Sequence, residues 1–270
     1  MLAIERQSRM VQLINERQTL SVAELAAMFN VSDMTIRRDL LRLEERGILR
    51  RTHGGASVLK HPTGDHPFYA RVEEQVQEKA AIARLAAARI QPGQTIILDA
   101  GTTIGRLASL LADTRDLTVI TNSLHVVSEL QHAAGINLIV TGGTLWEPTL
   151  SLVGPVAIAT LHRFVADTAF LATPALSLEA GITNSNLYEA EVKTAMIEIA
   201  REKVLLADHT KFGRTSYAKV APLTALNCLI TDDRTPPAAL TRLRELGVEV
   251  LVAMPAGASA GCQPNAHTPS

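Results

Sequence analysis

The apolar residues of this 270-residue chain change their spacing near residue 60. Before that point they recur every three or four positions, which is the spacing of a helix with one buried face. This spacing predicts three helices, one over residues 4–16, one starting after Ser21 and one starting after Ser32. Both serines can cap a helix by accepting a backbone N–H, and Gly47 can end the third helix in a left-handed conformation. Residues 48–56 then form a predicted hairpin, and the whole segment is typical of a winged helix-turn-helix.

Beyond residue 70, short apolar runs alternate with helix-spaced segments. The predicted strands cover 95–99, 117–121, 136–141, 167–172, 203–208, 228–231 and 248–252, and the predicted helices cover 71–89, 103–112, 123–133, 155–163, 187–201 and 236–246. Such alternation predicts a doubly wound, mostly parallel α/β domain over residues 71–253. Residues 59–70, which contain several helix breakers, are the predicted linker from an N-terminal domain over 1–58. Residues 254–270, rich in Ala, Gly, Pro and Ser, are a predicted disordered tail.

The third predicted helix carries basic residues away from its apolar stripe, which consists of Ile36, Leu40 and Leu43. An ordinary solvated face, with an ion pair between Asp33 and Arg37, would also fit an isolated helix. The tight connection to the preceding helix and the basic hairpin that follows favour contact with a DNA groove. The predicted DNA-contacting residues are Ser32 as the cap, Thr35, Arg37, Arg38 and Arg42 on the helix, and Arg50, Arg51 and His53 on the hairpin, where they can meet phosphates.

Charge and composition narrow the class of protein further. Residues 1–60 hold ten Lys and Arg against seven Asp and Glu, a net charge of +3, while the remaining residues hold 16 against 20, a net charge of −4. This asymmetry fits a nucleic-acid-binding domain on a neutral to acidic body. No apolar stretch reaches the roughly 18 residues of a membrane helix, no secretory signal is evident, and the two cysteines form no disulfide or metal-ligand pattern. We therefore expect a cytoplasmic protein without a metal, a cofactor or a membrane partner.

Three loops at predicted strand ends carry polar or glycine residues that suit a small ligand, which in such sheets binds beyond the carboxyl ends of the strands. They comprise Asp99, Gly101, Thr102 and Thr103 after the first strand, Thr121 and Asn122 after the second, and Gly142 and Gly143 after the third. Gly101 permits close backbone approach, and free N–H groups at a helix start suit an anion. Asp99 would repel phosphate and is predicted to accept a hydrogen bond from a sugar hydroxyl or from local N–H groups. Each loop alone is also typical of an ordinary turn or helix cap, but three on one edge favour a binding site.

Two stretches near the N-terminus resemble the signature of the DeoR family of bacterial transcriptional regulators. They are Ser32-Asp-Met-Thr-Ile-Arg-Arg-Asp-Leu40 and Arg51-Thr-His-Gly-Gly-Ala56, and the resemblance extends over residues 3–253. It implies a winged helix-turn-helix joined to a domain similar to ribose-5-phosphate isomerase, with a phosphorylated sugar or related metabolite as the effector. The three loops match the family's motifs, as do a Glu-x-x-x-Lys helix at 189–193 and the segment Asp208-His-Thr-Lys-Phe212. The resemblance thereby adds Glu189, Lys193 and Lys211 to the predicted effector site. The alternatives are a plain surface ion pair between Glu189 and Lys193 and a solvated loop lysine at Lys211.

The loop at residues 171–176 departs from the family pattern. Relatives have a glycine-containing loop there, whereas this chain has Leu-Ala-Thr-Pro-Ala-Leu. Proline fixes φ and removes a backbone N–H donor. We therefore do not expect a phosphate cradle of backbone N–H groups at this loop, and the effector class stays open.

Two classes of function follow from these features. The favoured one is a repressor of a sugar or carbohydrate catabolism operon, a homodimer or higher homo-oligomer that binds a double-stranded DNA operator and changes its affinity when the effector binds. The rival is a sugar-phosphate isomerase-like enzyme with an accessory DNA-binding module, in which Asp99 or Glu189 would act with Lys193. No catalytic motif of independent specificity supports the enzyme, whereas the DNA-binding motif is specific. Activation in place of repression stays open, because the position of the operator decides it.

Overall fold

The three helices of the N-terminal domain lie where the sequence predicts them. The computed structural model of this protein describes residues 3–17, 19–45, 49–52, 54–58 and 68–255. Helix α1 spans Ala3–Arg17, α2 spans Val22–Phe29 and α3 spans Asp33–Glu45. Ser21 and Glu24 form a capping box, and the Ser32 hydroxyl accepts the N–H of Thr35 at 3.3 Å, which confirms both predicted caps.

A small antiparallel sheet completes this domain, which we call the head (residues 1–58). Its strands, in the order β1-β3-β2, are β1 (Thr19–Ser21), β2 (Leu49–Thr52) and β3 (Gly55–Val58). Strands β2 and β3 form the predicted hairpin, which we call the wing. A Cβ at Gly55 would lie 2.1 Å from the carbonyl oxygen of Leu20, so β3 needs glycine where it meets β1. The predicted apolar stripe of α3 is buried in the core of the head, and Gly47, the predicted helix exit, lies outside the described residues.

The remaining elements form the α/β domain. Its helices are α4 (Phe68–Val72), α5 (Val76–Ala87), α6 (Thr102–Leu110), α7 (Leu124–Leu130), α8 (Pro155–Leu161), α9 (Leu187–Ile199) and α10 (Pro237–Glu245). Its strands are β4 (Thr95–Leu98), β5 (Leu117–Thr121), β6 (Ile136–Val140), β7 (Thr144–Trp146), β8 (Ser151–Val153), β9 (Ala166–Ala172), β10 (Ala175–Ser177), β11 (Gly181–Asn184), β12 (Ala200–Leu206), β13 (Ala218–Ala221), β14 (Cys228–Asp232) and β15 (Glu249–Ala253). None of the helices in the described part of the chain has the length and apolar character that a bilayer span needs.

The main sheet of the described residues has seven parallel strands in the order β15-β14-β12-β9-β4-β5-β6. Successive side chains of a strand face opposite sides of a sheet. Ile96 and Leu98 accordingly pack with α5, α6 and α7, whereas Ile97 packs with α8 and α9 on the other face. Helices cover both faces, which confirms the predicted doubly wound domain. The small antiparallel sheets β7-β8 and β10-β11-β13, whose strands are three or four residues long, were not predicted.

The predicted single helix over residues 71–89 is wrong. Helix α4 ends at Val72, α5 begins at Val76, and Gln75 between them is left-handed with a φ of 49°. Ala70 of α4 packs with the core of the head, whereas α5 packs on the main sheet. The interruption at Gln75 separates the turn that contacts the head from the helix that packs on the main sheet.

The first helix after the head also begins earlier in the chain than the sequence predicts. Helix α4 begins at Phe68, inside the predicted linker, and Phe68 is buried. Residues 59–67 of that linker and residues 256–270 of the predicted tail lie outside the described residues.

Candidate functional site

The basic residues predicted to contact DNA lie on the surface of α3 and of the wing. Exposed there are Ser32, Arg37, Arg38, Arg42, Arg50 and Arg51, with half-buried Thr35 on the first turn of α3. His53, the remaining predicted phosphate contact, lies outside the described residues. The described members of the set are therefore accessible to a partner, apart from the half-buried Thr35.

The arginines of α3 lie on two flanks of the helix. Successive residues of an α-helix are about 100° apart around its axis, so Arg38 and Arg42 share one flank and Arg37 lies on another. Arg37 lines a shallow groove between α3 and the wing, together with Glu44 and Arg51. In this groove the backbone N–H of Arg51 donates to Glu44 Oε1 at 3.0 Å, which fixes the wing against the helix. A helix with cations on both flanks suits the major groove, which is about 12 Å wide and bordered by phosphates.

A buried carboxylate holds α3 against α1. Asp39 is 2% exposed and accepts hydrogen bonds from Arg6 Nε at 2.7 Å and from Gln7 Nε2 at 2.8 Å. The sequence analysis missed this residue, although a carboxylate three positions after Ile36, on the apolar stripe of α3, is a usable signal. Asp39 orients the helix without belonging to its exposed surface.

An Asp39→Ala variant is expected to destabilise the head, because the Arg6 guanidinium would lose its partner in a largely buried position. Removing one side of a buried ion pair typically costs about 3–5 kcal/mol. Calorimetric unfolding of the full chain measures the loss, with Asp33→Ala, which removes an exposed carboxylate from the same helix, as the control. Equal unfolding temperatures of the two variants would contradict the structural role of Asp39.

A polar cavity of about 280 Å³ opens at the carboxyl ends of β4, β9 and β12. Ligands of doubly wound sheets bind at this edge, and a volume close to 300 Å³, at about the lower end for ligand pockets, suits a small metabolite. Five cationic and three acidic side chains line the cavity, namely Arg71, Lys79, Lys193, Lys211 and Arg214 with Glu74, Glu189 and Asp208. Further lining residues include Gly101, Thr102, Thr103, Thr149, Thr173 and Pro174.

The first turn of α6 forms one wall of the cavity and contains the predicted residues Gly101, Thr102 and Thr103. Gly101 caps the helix without a side-chain hydrogen bond, and the first N–H groups of a helix have no partner within it. Such N–H groups attract anions. A Cβ at Gly101 would lie 2.7 Å from the Cβ of Ala172, so glycine is what allows this turn to lie against β9.

Lys193 and Asp99 form a buried ion pair beside this turn. Lys193 lines the cavity from α9, whereas Asp99 stands outside the lining. Asp99 Oδ2 also accepts the backbone N–H of Ala172 at 2.9 Å. Because this oxygen accepts from two donors, the arrangement favours a role for Asp99 in positioning Lys193 over contact with a sugar hydroxyl. The Ala172 N–H is a local backbone donor, which was the other predicted partner of Asp99.

The Glu189 carboxylate lines the cavity, and only one of its two oxygens is hydrogen-bonded within the described residues. Its Oε1 accepts from Thr149 Oγ1 at 2.5 Å and from Ser151 Oγ at 3.0 Å. Its Oε2 is buried and has no hydrogen-bond partner within the described residues. Burial raises the pKa of the Glu189 carboxyl, while the hydrogen bond from Thr149 and the charge of Lys193 act to lower it. The unpartnered Oε2 can accept a hydrogen bond from a hydroxyl group of a ligand.

Two further lysines add positive charge to the cavity. Lys211, which the sequence predicts, has its amine 4.0 Å from Asp208 Oδ2. Lys79 on α5 was not predicted; it is 2% exposed and donates to the carbonyl oxygen of Arg71 at 2.5 Å. Burial lowers the pKa of the Lys79 amine to about 8, so the amine is still mostly protonated at neutral pH. The signal that could have revealed it is a lysine three residues before the buried Ile82, on the apolar stripe of an alanine-rich helix.

Five predicted effector residues stand outside the lining of this cavity, namely Asp99 together with Thr121, Asn122, Gly142 and Gly143. The Thr121 hydroxyl donates to the carbonyl oxygen of Leu98 at 2.6 Å, and Asn122 Nδ2 donates to that of Leu152 at 3.2 Å. Gly143 has a φ of 121°, and a Cβ there would lie 2.6 Å from the carbonyl oxygen of Val153. These contacts give the loops after β5 and β6 a structural role at the sheet edge.

The loop that departs from the family pattern borders the cavity through Thr173 and Pro174. The backbone N–H of Ala172 donates to Asp99, that of Ala175 donates to Thr173 Oγ1, and Pro174 has no N–H to offer. Two backbone N–H groups of this loop are thus engaged within the protein and Pro174 has none, so these three positions offer no backbone donor to a phosphate.

Both domains match known families. The DeoR-like helix-turn-helix domain matches residues 6–61, and the DeoR C terminal sensor domain matches residues 74–233. YulB of Bacillus subtilis, an uncharacterized HTH-type transcriptional regulator, is 38% identical over 250 residues, which cover 93% of this chain and 96% of the relative. The transcriptional repressor AccR of Agrobacterium fabrum is 38% identical over 232 residues, covering 86% and 90%. Among solved structures, ribose 5-phosphate isomerase A from Methanocaldococcus jannaschii is similar to part of this chain, with a TM-score of 0.37 at 16% identity over 50% of this chain and 53% of that chain.

Proposed function

The chain belongs to the DeoR family of transcriptional regulators, and we propose that it represses a carbohydrate catabolism operon under the control of a phosphorylated effector. It is a regulator and not an enzyme, since its relatives are transcriptional regulators and repressors. Its partners are an operator DNA, which the helix-turn-helix domain binds, and a small-molecule effector, which the sensor domain binds.

The chemistry of the cavity supports a phosphorylated, polyhydroxylated effector. The observation that carries this proposal is the combination of two kinds of group around one small volume. The N–H groups at the start of α6, with Lys193 and Lys211, offer donors and positive charge to an anion. The unpartnered Oε2 of Glu189 offers an acceptor to a hydroxyl group. A sugar or polyol phosphate carries both complementary groups in one molecule.

The head supports binding to the major groove of a repeated operator. We propose that α3 reads base edges through Arg37, Arg38 and Arg42, while Arg50 and Arg51 contact phosphates. Related folds place two recognition helices on half-sites about 34–36 Å apart, or a multiple of that distance, which requires two heads. A homodimer or a higher homo-oligomer is therefore the proposed binding species.

A thermal-shift screen against triose, pentose and hexose monophosphates, with their unphosphorylated parents as controls, tests the effector class. We expect one or more monophosphates to raise the unfolding temperature of the full chain, because a ligand that binds only the folded state stabilises it. The same compound should change the operator affinity, with a coupling that is typically about 1–3 kcal/mol, or 5–150-fold. Equal responses to a phosphate and to its unphosphorylated parent would contradict the proposal.

A further inference from the structure

Strand β6 forms one outer edge of the main sheet. Its inner side is bonded to β5: the N–H of Leu117 donates to the carbonyl oxygen of Gly135 at 3.4 Å, and the N–H of Thr141 donates to that of Thr121 at 3.0 Å. Within the plane of a sheet, the backbone groups of successive strand residues point to alternate sides. The odd-numbered residues of β6 are therefore bonded to β5, and the even-numbered residues direct their N–H and C=O groups away from the sheet.

The even-numbered residues of β6 are Ile136, Leu138 and Val140, and most of their outward backbone groups lack a partner in the described part of the chain. The N–H of Ile136 donates to the carbonyl oxygen of Ala133 at 3.1 Å. The N–H groups of Leu138 and Val140 make no such bond among the described residues, and neither do the carbonyl oxygens of all three. A row of unpaired backbone groups at a sheet edge is a template for another strand.

Strand β6 also lacks the features that keep a sheet edge from pairing. Natural edges are protected by charged side chains, by proline, by bulges or by a covering element. Residues 130–146 contain no Asp, Glu, Lys, Arg or Pro, and β6 pairs with β5 in one unbroken register. The other edge strand, β15, begins with the exposed Glu249, which pairs with Arg89 at 3.1 Å. Only β6 of the two edges is therefore both open and uncharged.

The exposed surface stays apolar beyond the carboxyl end of β6. Val140 is 39% exposed. Val156 of α8, which a Cβ at Gly142 would approach to 3.6 Å, is 60% exposed. A surface without charge suits an equally apolar partner. The described chain ends after β15, at the opposite edge of the sheet, which favours a second copy over the chain's own C-terminal segment as the occupant.

We propose that two copies of this chain associate through β6, by antiparallel pairing of the two strands about a two-fold axis at Leu138. The inference rests on the proposed homo-oligomeric repressor and assigns its interface. This register pairs all five residues of each strand. The N–H groups of Leu138 and Val140 then donate to the carbonyl oxygens of Leu138 and Ile136 of the other copy.

The side chains of the two strands are compatible with this pairing. Ile136 of each copy lies opposite Val140 of the other copy, and Asn137 lies opposite Ile139, so no charged group is buried. Each copy presents the same surface to the other, as a closed two-fold dimer requires. Because the interface belongs to the α/β domain, both heads stay available for the two half-sites of an operator.

The interface is tested with Val140→Lys in the full chain, which places an ammonium group opposite Ile136 of the other copy. Val165→Lys is the matched control, because it makes the same change at a valine that is 67% exposed and precedes β9, at the amino ends of the strands. We expect sedimentation to show that Val165→Lys associates as wild type does. Val140→Lys should raise the dimer dissociation constant by about 10-fold or more, because two apolar cross-strand pairs are lost.

The register is tested by oxidising a mixture of Asn137→Cys chains and Ile139→Cys chains. Both carry Cys262→Ser, and Cys228 is buried. Directly opposite residues of a non-hydrogen-bonded pair have Cα atoms about 4.5 Å apart, within the range of a disulfide. We expect the mixture to form a covalent dimer. Either variant alone should not, because its two cysteines lie diagonally, about 7–8 Å apart.

Three results would overturn the inference. A Val140→Lys chain that associates as tightly as wild type overturns the β6 interface, and a mixture that forms no covalent dimer overturns the pairing. A monomeric wild-type chain that loses unfolding temperature in Val140→Lys but not in Val165→Lys assigns the edge to a segment of the same chain. All three leave effector sensing standing, because the thermal-shift screen measures it independently.

Discussion

An Arg37→Ala, Arg38→Ala double variant is expected to lose at least about 30-fold in operator affinity, together with its preference for the operator sequence. A bidentate contact between an arginine and a guanine contributes about 1–3 kcal/mol of discrimination, so two contribute about 2–6 kcal/mol. Every 1.4 kcal/mol is about a factor of ten in affinity. Both side chains are exposed and lie away from the core of the head, so the fold should be retained.

Fluorescence anisotropy with the operator and with a scrambled duplex, each at several salt concentrations, measures this loss. Arg115→Ala, Arg244→Ala is the matched control, because it removes two exposed arginines from the α/β domain. Arg50→Ala offers a useful contrast: a lost phosphate contact should weaken both duplexes alike and reduce the salt slope by about one. If the Arg37→Ala, Arg38→Ala variant keeps wild-type affinity and specificity, α3 does not read the operator in the proposed way.

The head could be predicted closely because its signals are local. A capping box joins residues three apart, and an apolar stripe repeats every three or four positions, so both are visible in a short window of sequence. The role of Asp39 was not predicted, because its partners Arg6 and Gln7 lie on α1, more than 30 positions earlier in the chain. A carboxylate on an apolar stripe signals a buried partner without saying which residue it is.

The candidate site was predicted in part, and the order of the strands explains the difference. The three predicted loops follow β4, β5 and β6, which are neighbours at one edge of the main sheet. The cavity instead lies where β4, β9 and β12 end, because β9 lies between β4 and β12. Local patterns predict strands but not this crossover. Gly101, Thr102 and Thr103 therefore line the cavity, whereas the loops after β5 and β6 do not.

Removing one partner of the Lys193–Asp99 pair is expected to destabilise the α/β domain strongly, while removing both is expected to be close to neutral. In Lys193→Met, the buried Asp99 carboxylate would keep only the Ala172 N–H among the donors identified in the described residues. An ion left unpaired in this way typically costs about 3–5 kcal/mol, whereas replacing a whole buried pair by neutral groups is often neutral or stabilising. Asp99→Asn combined with Lys193→Met should therefore recover most of the unfolding temperature that the single variant loses.

The double variant also separates a ligand contact from a structural role. Because Lys193 lines the cavity, the double variant should lose about 10-fold or more in effector affinity while it binds the operator normally without effector. Such a protein would be a repressor that cannot be induced. Lys211→Ala should also give a repressor that cannot be induced, with little loss of stability, because the Lys211 amine is 4.0 Å from Asp208. Lys219→Met, which removes an exposed lysine that does not line the cavity, should behave as wild type. Operator titrations with and without effector decide the matter: if the double variant is stable and still responds with wild-type effector affinity, Lys193 serves the fold and not the ligand.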